Sequence, residues 1–265
     1  MRLARGRALD AYALVAIGYM LLPIAVVVLF SFNDPAGRFN YVWRGFTLDN
    51  WVSWDAVPGL RDAFETSLLI ALLASLTATT LGTLLALALV RHDFRGRAPI
   101  NFLIFLPMAA PEIVLGASLL TLFLNQSLLD LGFWTIFIAH VMFNISFVVV
   151  TVRARLVDFD RHLEEAAADL GATGLETFRL ITMPLLWPAI LAGALLAFAI
   201  SVDDFVITYF NSGSEITFPV FVWGQAARGV PPQVNVIGSA VFLAAVGIML
   251  ASVIVQTRRR KETPA

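Results

Sequence analysis

Three carboxylates stand in stretches of the chain that are otherwise almost entirely apolar. Glu112 lies within LPMAAPEIVLG, and Asp203 and Asp204 lie together within AISVDDFVITYF. A charged side chain near the centre of a bilayer is energetically costly, so acids at such positions usually line the path of an ion or a substrate. Carboxylates along that path attract cations and repel anions. These three residues therefore predict a route for a positively charged solute.

Two prolines predict a helix break next to Glu112. Pro107 and Pro111 each lack a backbone donor, so the helix that holds them kinks or breaks and frees carbonyl groups. Broken helices near the membrane midplane mark substrate sites in transporters. Counted along one straight helix, Glu112 lies about 18 Å into its span, near the midplane. The alternative is that Glu112 makes a structural hydrogen bond between helices.

Asp203 and Asp204 come late in another predicted span, toward its outer end. Because adjacent helical residues point about 100° apart, we expect one of the two to face the path. The alternative is that both lie in the water of the outer headgroup layer. Tyr209, Phe205 and Trp223 would supply aromatic walls for an apolar part of the solute, although aromatic residues are also common at membrane interfaces.

The remaining polar groups do not suggest catalysis. His140 and Asn144 are four residues apart, and this spacing favours a hydrogen-bonded pair between helices over a proton relay. The absence of Cys excludes a thiolate zinc site, and three scattered His residues disfavour any metal centre. A membrane-embedded enzyme using Glu112 or His140 would need convergent catalytic groups, which this sparse polar set does not provide.

The composition indicates a membrane protein that is all-α and multi-pass. Of 265 residues, 59% are hydrophobic and 14% are charged, with a mean hydropathy of +0.82. A soluble domain is only about 45–50% apolar and about 25% charged. Six apolar stretches are long enough to cross a bilayer, the first being a retained signal anchor, and we expect them to form one transmembrane domain over 1–265. These spans are 11–32, 66–90, 100–124, 132–152, 185–207 and 236–256.

The basic residues predict that both termini are cytoplasmic. Fourteen of the 18 Arg and Lys residues fall in the N-terminal tail, the loops after the second and fourth spans, and the C-terminal tail. This leaves a charge of about +5 inside and about −6 in the membrane and outside. The acids in the membrane and outside it favour a cationic solute. The alternative is that these acids have no role in recognition and stand out only because Arg and Lys are kept to the cytoplasmic side. The run Arg258–Lys261 is typical of a lipid-headgroup anchor.

The loop from about 153 to 184 predicts two short helices on the cytoplasmic side. Asp160 caps the first helix, and Gly171 stops it in a left-handed conformation. Thr173 and Glu176 have the spacing of a capping box for the second helix, which we expect to end near Pro184. An apolar stripe on the first helix comprises Leu163, Ala166, Ala167 and Leu170. By itself, this pattern fits either a helix that docks on a partner or an amphipathic linker on the membrane surface.

The same loop resembles the signature of bacterial ABC importer permeases. That signature is EAA, three residues, Gly, nine residues and then I-x-L-P. The matching residues are Glu165, Ala166, Ala167, Gly171, Ile181, Met183 and Pro184. Only Met183 departs, standing where Leu is usual, and the two side chains have similar volumes. The resemblance implies a coupling helix that inserts into a cleft of an ATPase subunit, with these contact residues: Glu165, Ala166, Ala167 and Gly171.

A narrower resemblance, from the third span to the sixth, is to the second permease subunit of the spermidine/putrescine group. It rests on GFWTIFIAHVMFNISFVVVTVRARL, the EAA loop, SVDDFVITYFNSG and GVPPQVNVIGSAV. In that group an acid follows the proline of the third span, here Pro111-Glu112, although Asp is common where Glu112 stands. The resemblance implies polyamine import in a bacterial cytoplasmic membrane. The implied pathway residues are Glu112, Asp203, Asp204 and Tyr209.

The implied partners are a similar second permease, two ATPase subunits and an extracytoplasmic binding protein. This chain has no Walker A sequence, so ATP and its Mg²⁺ would be bound by the ATPase subunits, and this chain would perform no covalent chemistry and hold no cofactor. One alternative is an ABC permease for iron, thiamine or an organic anion, but a path lined by carboxylates disfavours anions. Another is an ion-coupled carrier, which would have no use for the EAA loop.

Overall fold

The computed structural model describes residues 2–37, 39–126 and 129–262, but not the side chains of 2–8, 11, 126, 248, 249 and 251–262. These residues are helical or irregular, with one isolated antiparallel bridge between Asn33 and Phe46. They divide into two compact units. The first unit consists of Met1–Arg61 with Val222–Ala265, and the second is Asp62–Phe221.

In the first unit, the helices α1 (Arg2–Phe30) and α12 (Pro232–Glu262) pack against each other. The short helix α2 (Asp49–Val52) follows a loop that buried amides hold together. In that loop Asn33 Nδ2 donates to Asn40 Oδ1 at 2.6 Å. Buried amides that satisfy one another in this way give an irregular segment a defined conformation.

The second unit contains most of the remaining helices. They are α3 (Leu60–Arg91), α4 (Arg97–Ala109), α5 (Glu112–Gln126), α6 (Phe133–Val157), α7 (His162–Asp169), α8 (Gly174–Thr177), α9 (Met183–Asp203), α10 (Val206–Asn211) and the start of α11 (Phe218–Ala226). A π-helical turn, Phe178–Thr182, joins α8 to α9. Side chains of α3, α4, α6 and α9 form the main apolar cluster: Ala86, Leu89, Ile104, Val148, Val149, Val152, Leu156, Leu186, Ile190 and Ala197.

The helices confirm an all-α, multi-pass membrane protein. Four of them are long and apolar enough to cross a bilayer: Tyr12–Phe30, Leu60–Arg91, Phe133–Val157 and Gly174–Asp203. The bent pair α4 and α5 would make a fifth. The sixth predicted span, 236–256, lies in α12, where only Pro232–Gly247 is recognised as a shorter apolar helix among the described residues. The count of six is therefore not confirmed exactly.

The third predicted span is broken where the prolines predicted a break. Ala110 is extended, with φ −76° and ψ 141°, and α5 then turns by 112° from α4. A residue before proline disfavours the helical conformation, and Pro111 has no N–H to continue the ladder. Glu112 is the first residue after the turn, so the break lies at the end of the stretch over which its depth of about 18 Å was counted, and that depth stays a prediction.

The loop helices begin and end largely as predicted, with one correction. Asp160 Oδ1 accepts from the N–H of His162 at 3.0 Å, and Thr173 with Glu176 forms the capping box. The predicted end near Pro184 is wrong, because the helix continues through the π-helical turn and α9 to Asp203. A wider turn accommodates a proline that cannot donate to the preceding turn. Asp203 is also four residues short of the end predicted for that span.

Two left-handed glycines allow a direct test of local packing. Gly213 has φ +56°, and a Cβ there would lie 2.5 Å from the carbonyl oxygen of Leu131. Gly171 has φ +87° with open space around it. We expect Gly171→Ala to cost about 1 kcal/mol, the usual penalty of this backbone conformation, and Gly213→Ala to cost more because a backbone atom must move. Thermal unfolding in detergent measures both, and equal losses would contradict the close contact.

Candidate functional site

The three carboxylates identified in the sequence line one cavity of the second unit. The cavity has a volume of about 450 Å³. Its walls come from α5, α6, the end of α9 and the segment that leads to α10. The lining residues are Glu112, Phe143, Ala199, Ile200, Asp203, Asp204, Phe205 and Val206. Acids that are about 90 residues apart in the chain therefore meet at one place, together with two aromatic rings.

Two helix breaks bring these residues together. Glu112 begins α5 directly after the proline turn, whereas Asp203 ends α9 and Asp204 is extended, with φ −66° and ψ 117°. The two short helices that follow the breaks pack tightly, since a Cβ on Gly116 of α5 would lie 2.8 Å from the ring of Phe210 in α10. Residues at both breaks line one shared cavity, and irregular backbone within a membrane protein is tolerated where it lines such a cavity.

The carboxylate of Asp204 accepts hydrogen bonds from other groups of the protein. Its side chain is only 8% exposed. Oδ2 accepts from the backbone N–H and from the hydroxyl of Thr208, each at 2.8 Å, and Oδ1 lies 3.4 Å from the N–H of Ile207. Asp204 therefore caps the first turn of α10. Although Asp204 borders the cavity, its charge is turned toward the protein interior.

A buried histidine completes this network. Nδ1 of His140 lies 2.5 Å from the hydroxyl of Ser201, and Nε2 lies 2.9 Å from that of Thr208 and 3.2 Å from Asp204 Oδ2. The tautomer with its proton on Nε2 satisfies all of these contacts. The predicted hydrogen bonding between helices is thus present at His140, but its partners are on α9 and α10. Asn144 is buried and has no hydrogen-bond partner among the described residues.

Glu112 and Asp203 are the open carboxylates of the cavity. Both residues are exposed. Neither carboxylate makes a hydrogen bond or an ion pair within the part of the chain that the structure describes. Two unpaired carboxylates beside apolar walls have the chemical groups that a solute with separated positive charges requires.

The aromatic residues are placed differently from one another. Phe205 and Phe143 line the cavity, whereas Tyr209 is half exposed and stacks on Phe205 at 5.3 Å between ring centroids. Tyr209 therefore supports a wall without being part of it. Trp223 belongs to the other compact unit. Phe143 was missed in the sequence, where its position one turn after His140 on α6 was the available signal.

The four residues that the EAA signature implies as ATPase contacts lie on and just after α7. Glu165 is exposed, and the only contact of its carboxylate among the described residues is with Nδ1 of His162 at 3.1 Å. Ala166 and Gly171 are also exposed, and Gly171 has the predicted left-handed backbone. Ala167 is buried within this chain. Three of the four residues are therefore accessible to a partner, and Ala167 packs inward.

The sequence also matches a known family and its members. The family described as "Binding-protein-dependent transport system inner membrane component" matches residues 78–260. The spermidine/putrescine transport system permease protein PotC of Escherichia coli strain K12 is 36% identical over 262 residues, which cover 98% of this chain and 96% of that protein. The putrescine transport system permease protein PotI of the same strain is 38% identical over 238 residues, covering 87% and 84%.

A solved structure shares the fold. It is the crystal structure of a bacterial ABC transporter involved in the import of the acidic polysaccharide alginate, with a TM-score of 0.66 at 18% identity over 97% of this chain and 98% of that chain. At this level of identity the likeness concerns the fold alone and does not bear on the solute. With the family match and the two relatives, it places this protein in a binding-protein-dependent ABC system. The chain belongs to the family of binding-protein-dependent transport system inner membrane components.

Proposed function

We propose that this chain is a permease subunit of an ATP-driven importer of polyamines such as spermidine and putrescine. The observation that carries the proposal is the cavity in which Glu112 and Asp203 are open and two aromatic rings stand beside them. The relatives PotC and PotI, named for spermidine and putrescine transport, support the same solute class.

The chemistry of a polyamine fits this cavity. Each ammonium group needs a carboxylate, and each methylene segment needs an apolar or aromatic surface. A volume of about 450 Å³ is within the range of small-molecule sites. Because no positively charged side chain among the described residues pairs with the carboxylates of Glu112 and Asp203, an ammonium group that binds them does not have to displace a cation of the protein. Because only two of the carboxylates that line the cavity are open, the solute is held by few charged groups and is able to leave.

The remaining parts of the assembly follow from the loop and the charges. The exposed face of α7, with Glu165, Ala166 and Gly171, is the docking surface for one of two ATPase subunits, which bind ATP and Mg²⁺. A second permease completes the pore, and a binding protein delivers the solute from outside. Both termini lie in the cytoplasm of a bacterial cell, in keeping with the distribution of Arg and Lys. ATP binding moves the coupling helices and so alternates access to the cavity.

Transport by the reconstituted complex tests this function. The complex of both permeases and the ATPase subunits is placed in liposomes with the binding protein, and uptake of labelled spermidine and putrescine is measured with and without ATP. We expect saturable, ATP-dependent uptake that thiamine, ferric ion and sulfate do not inhibit. Uptake that proceeds without ATPase subunits would identify a carrier instead. ATP-dependent uptake of one of the competing solutes, with none of either polyamine, would assign another importer.

The docking role of Glu165 has its own test. We expect Glu165→Lys to weaken binding of the ATPase subunit by roughly tenfold, because reversing an exposed charge at an interface replaces an attraction with a repulsion. Co-purification of the ATPase subunit with this chain measures the change. Asp93→Lys is the matched control, since Asp93 is an exposed acid whose one ion pair among the described residues is with Arg97. Equal co-purification of the wild type and Glu165→Lys would contradict the docking surface.

A further inference from the structure

One carboxylate connects three elements on the side of the molecule where α7 lies. Glu164, next to the EAA glutamate, accepts two hydrogen bonds from the guanidinium of Arg91, at 2.6 and 2.8 Å. It also accepts a hydrogen bond of 2.5 Å from the hydroxyl of Thr182. Arg91 is the last residue of α3, and Thr182 ends the π-helical turn that leads into α9. Glu164 thus links α7 to the ends of two long helices.

The contact is strong by its geometry and surroundings. Both carboxylate oxygens face two nitrogens of the guanidinium, and this bidentate arrangement fixes orientation as well as distance. The side chains are 17% exposed for Arg91 and 22% for Glu164, so water screens the pair only partly. The guanidinium also lies 5.2 Å above the ring of Phe159, which follows α6. The pair is therefore held from several sides.

Apolar packing contributes little to the position of α7. A cleft of about 500 Å³ opens beside the pair, between the end of α3, the helices α7 and α8, and the π-helical turn. Of the predicted apolar stripe on this loop, Leu163, Ala166 and Leu170 are exposed, and only Ala167 is buried. The hydrogen bonds of Glu164 are thus the shortest polar contacts of α7 with α3 and with the turn, and Arg161, just before α7, adds a longer one of 3.3 Å from Nη2 to the carbonyl oxygen of Val90.

The elements that Glu164 joins lead to the solute cavity. α9 runs for 21 residues from Met183, just after Thr182, to Asp203, which lines the cavity. A rigid helix carries a displacement from one end to the other. The turn between α8 and α9 is π-helical, and such turns often mark functional positions in helices. A displacement of α7 passed on through Glu164 would therefore act on the helix whose other end carries the open carboxylate of Asp203.

We propose that Glu164 is a positioning residue that transmits movement of α7 to α3 and α9. The inference rests on the proposed function, because it requires an ATPase subunit that moves α7. It assigns different roles to two neighbouring glutamates: Glu165 faces outward to the partner, and Glu164 faces inward to the helices that form the cavity. Without the carboxylate of Glu164, the ATPase subunit stays bound and hydrolyses ATP, but the binding protein on the outer face no longer stimulates that hydrolysis.

The experiment compares ATP hydrolysis by the reconstituted complex with and without its binding protein. For Glu164→Ala we expect normal co-purification of the ATPase subunit and normal basal hydrolysis. Stimulation by the binding protein and polyamine uptake should each fall by about tenfold or more, in keeping with common coupling energies. The double variant Arg91→Glu with Glu164→Arg restores the ion pair with its charges exchanged, and we expect it to recover most of the stimulation. Asp93→Ala, at an exposed ion pair, is the control.

Three results would overturn the proposal. The first is wild-type stimulation in Glu164→Ala. The second, measured if that variant does not assemble, is wild-type stimulation in the milder Glu164→Gln. The third is no recovery of stimulation in the charge exchange when its complex is intact. A failure of the proposed solute looks different. In that case the wild-type complex responds to its binding protein but takes up neither spermidine nor putrescine, and the effect of Glu164 on the response is still measurable.

Discussion

Replacing Asp203 with Asn is expected to lower polyamine uptake by roughly 10- to 100-fold while the complex stays intact. The substitution keeps the shape of the side chain and removes its charge. A hydrogen bond to a charged group contributes about 1.5–3 kcal/mol, and each 1.4 kcal/mol corresponds to about tenfold in affinity. Because Asp203 has no internal partner among the described residues, its loss leaves no buried donor unpaired. The effect should therefore appear in KM and in uptake, with no change in stability.

Glu112→Gln should behave in the same way, and the double variant should lose more than either single variant. Uptake kinetics for putrescine and spermidine provide the measurement, and thermal unfolding of each complex provides the stability reading. Asp130→Asn is the control, because Asp130 is an exposed acid outside the cavity lining. If Asp203→Asn and Glu112→Gln both take up polyamine with wild-type kinetics, the solute does not pass these carboxylates.

The local features of the fold were predictable because short-range chemistry determines them. Pro111 breaks the third span wherever the rest of the chain lies, and Asp160 and Gly171 bound α7 through hydrogen bonds and backbone geometry near each residue. The apolar content of the long helices likewise indicates a membrane protein directly. Such signals need no knowledge of distant partners.

The roles of the two adjacent aspartates were not predictable from helical geometry. The expectation that one faces the path assumed that the helix continues through both residues. In the structure α9 ends at Asp203, and Asp204 begins the turn into α10. An Asp before a new helix is a common capping signal, so Asp204 followed four residues later by Thr208 was the clue. Its contact with His140, 64 residues away, depends on the tertiary fold.

The role of Glu164 was also not predictable from the residues near it in the sequence. Glu164 and Glu165 are chemically identical neighbours, and the EAA pattern directs attention to the second one. What distinguishes them is Arg91, which is 73 residues earlier in the chain and lies at the end of α3. No local spacing contains that pairing. The sequence therefore predicts that Glu165 contacts a partner, whereas the contact between Glu164 and Arg91 is seen only in the packed helices.

Asp204→Asn is expected to destabilise the protein, in contrast to Asp203→Asn. The single amide oxygen of Asn cannot accept all the donors that Asp204 accepts, and its NH₂ group would meet the N–H of Thr208 or the ring of His140. Each buried donor left unpaired costs about 1–3 kcal/mol. We therefore expect a lower unfolding temperature and a lower yield of complex. In the complex that remains, KM for polyamine should change less than in Asp203→Asn.

Substitutions at Thr208 separate the buried network from direct contact with the solute. Thr208→Ser keeps the hydroxyl that bridges His140 and Asp204, and its stability should stay near that of the wild type. Thr208→Val removes the hydroxyl and leaves His140 Nε2 without one partner, so it should lose stability in the same direction as Asp204→Asn. A wild-type unfolding temperature in Asp204→Asn, combined with the uptake defect of Asp203→Asn, would mean that Asp204 binds the solute directly. If Asp204→Asn loses stability and Asp203→Asn loses affinity for polyamine, then one of these adjacent carboxylates stabilises the fold and the other binds the solute.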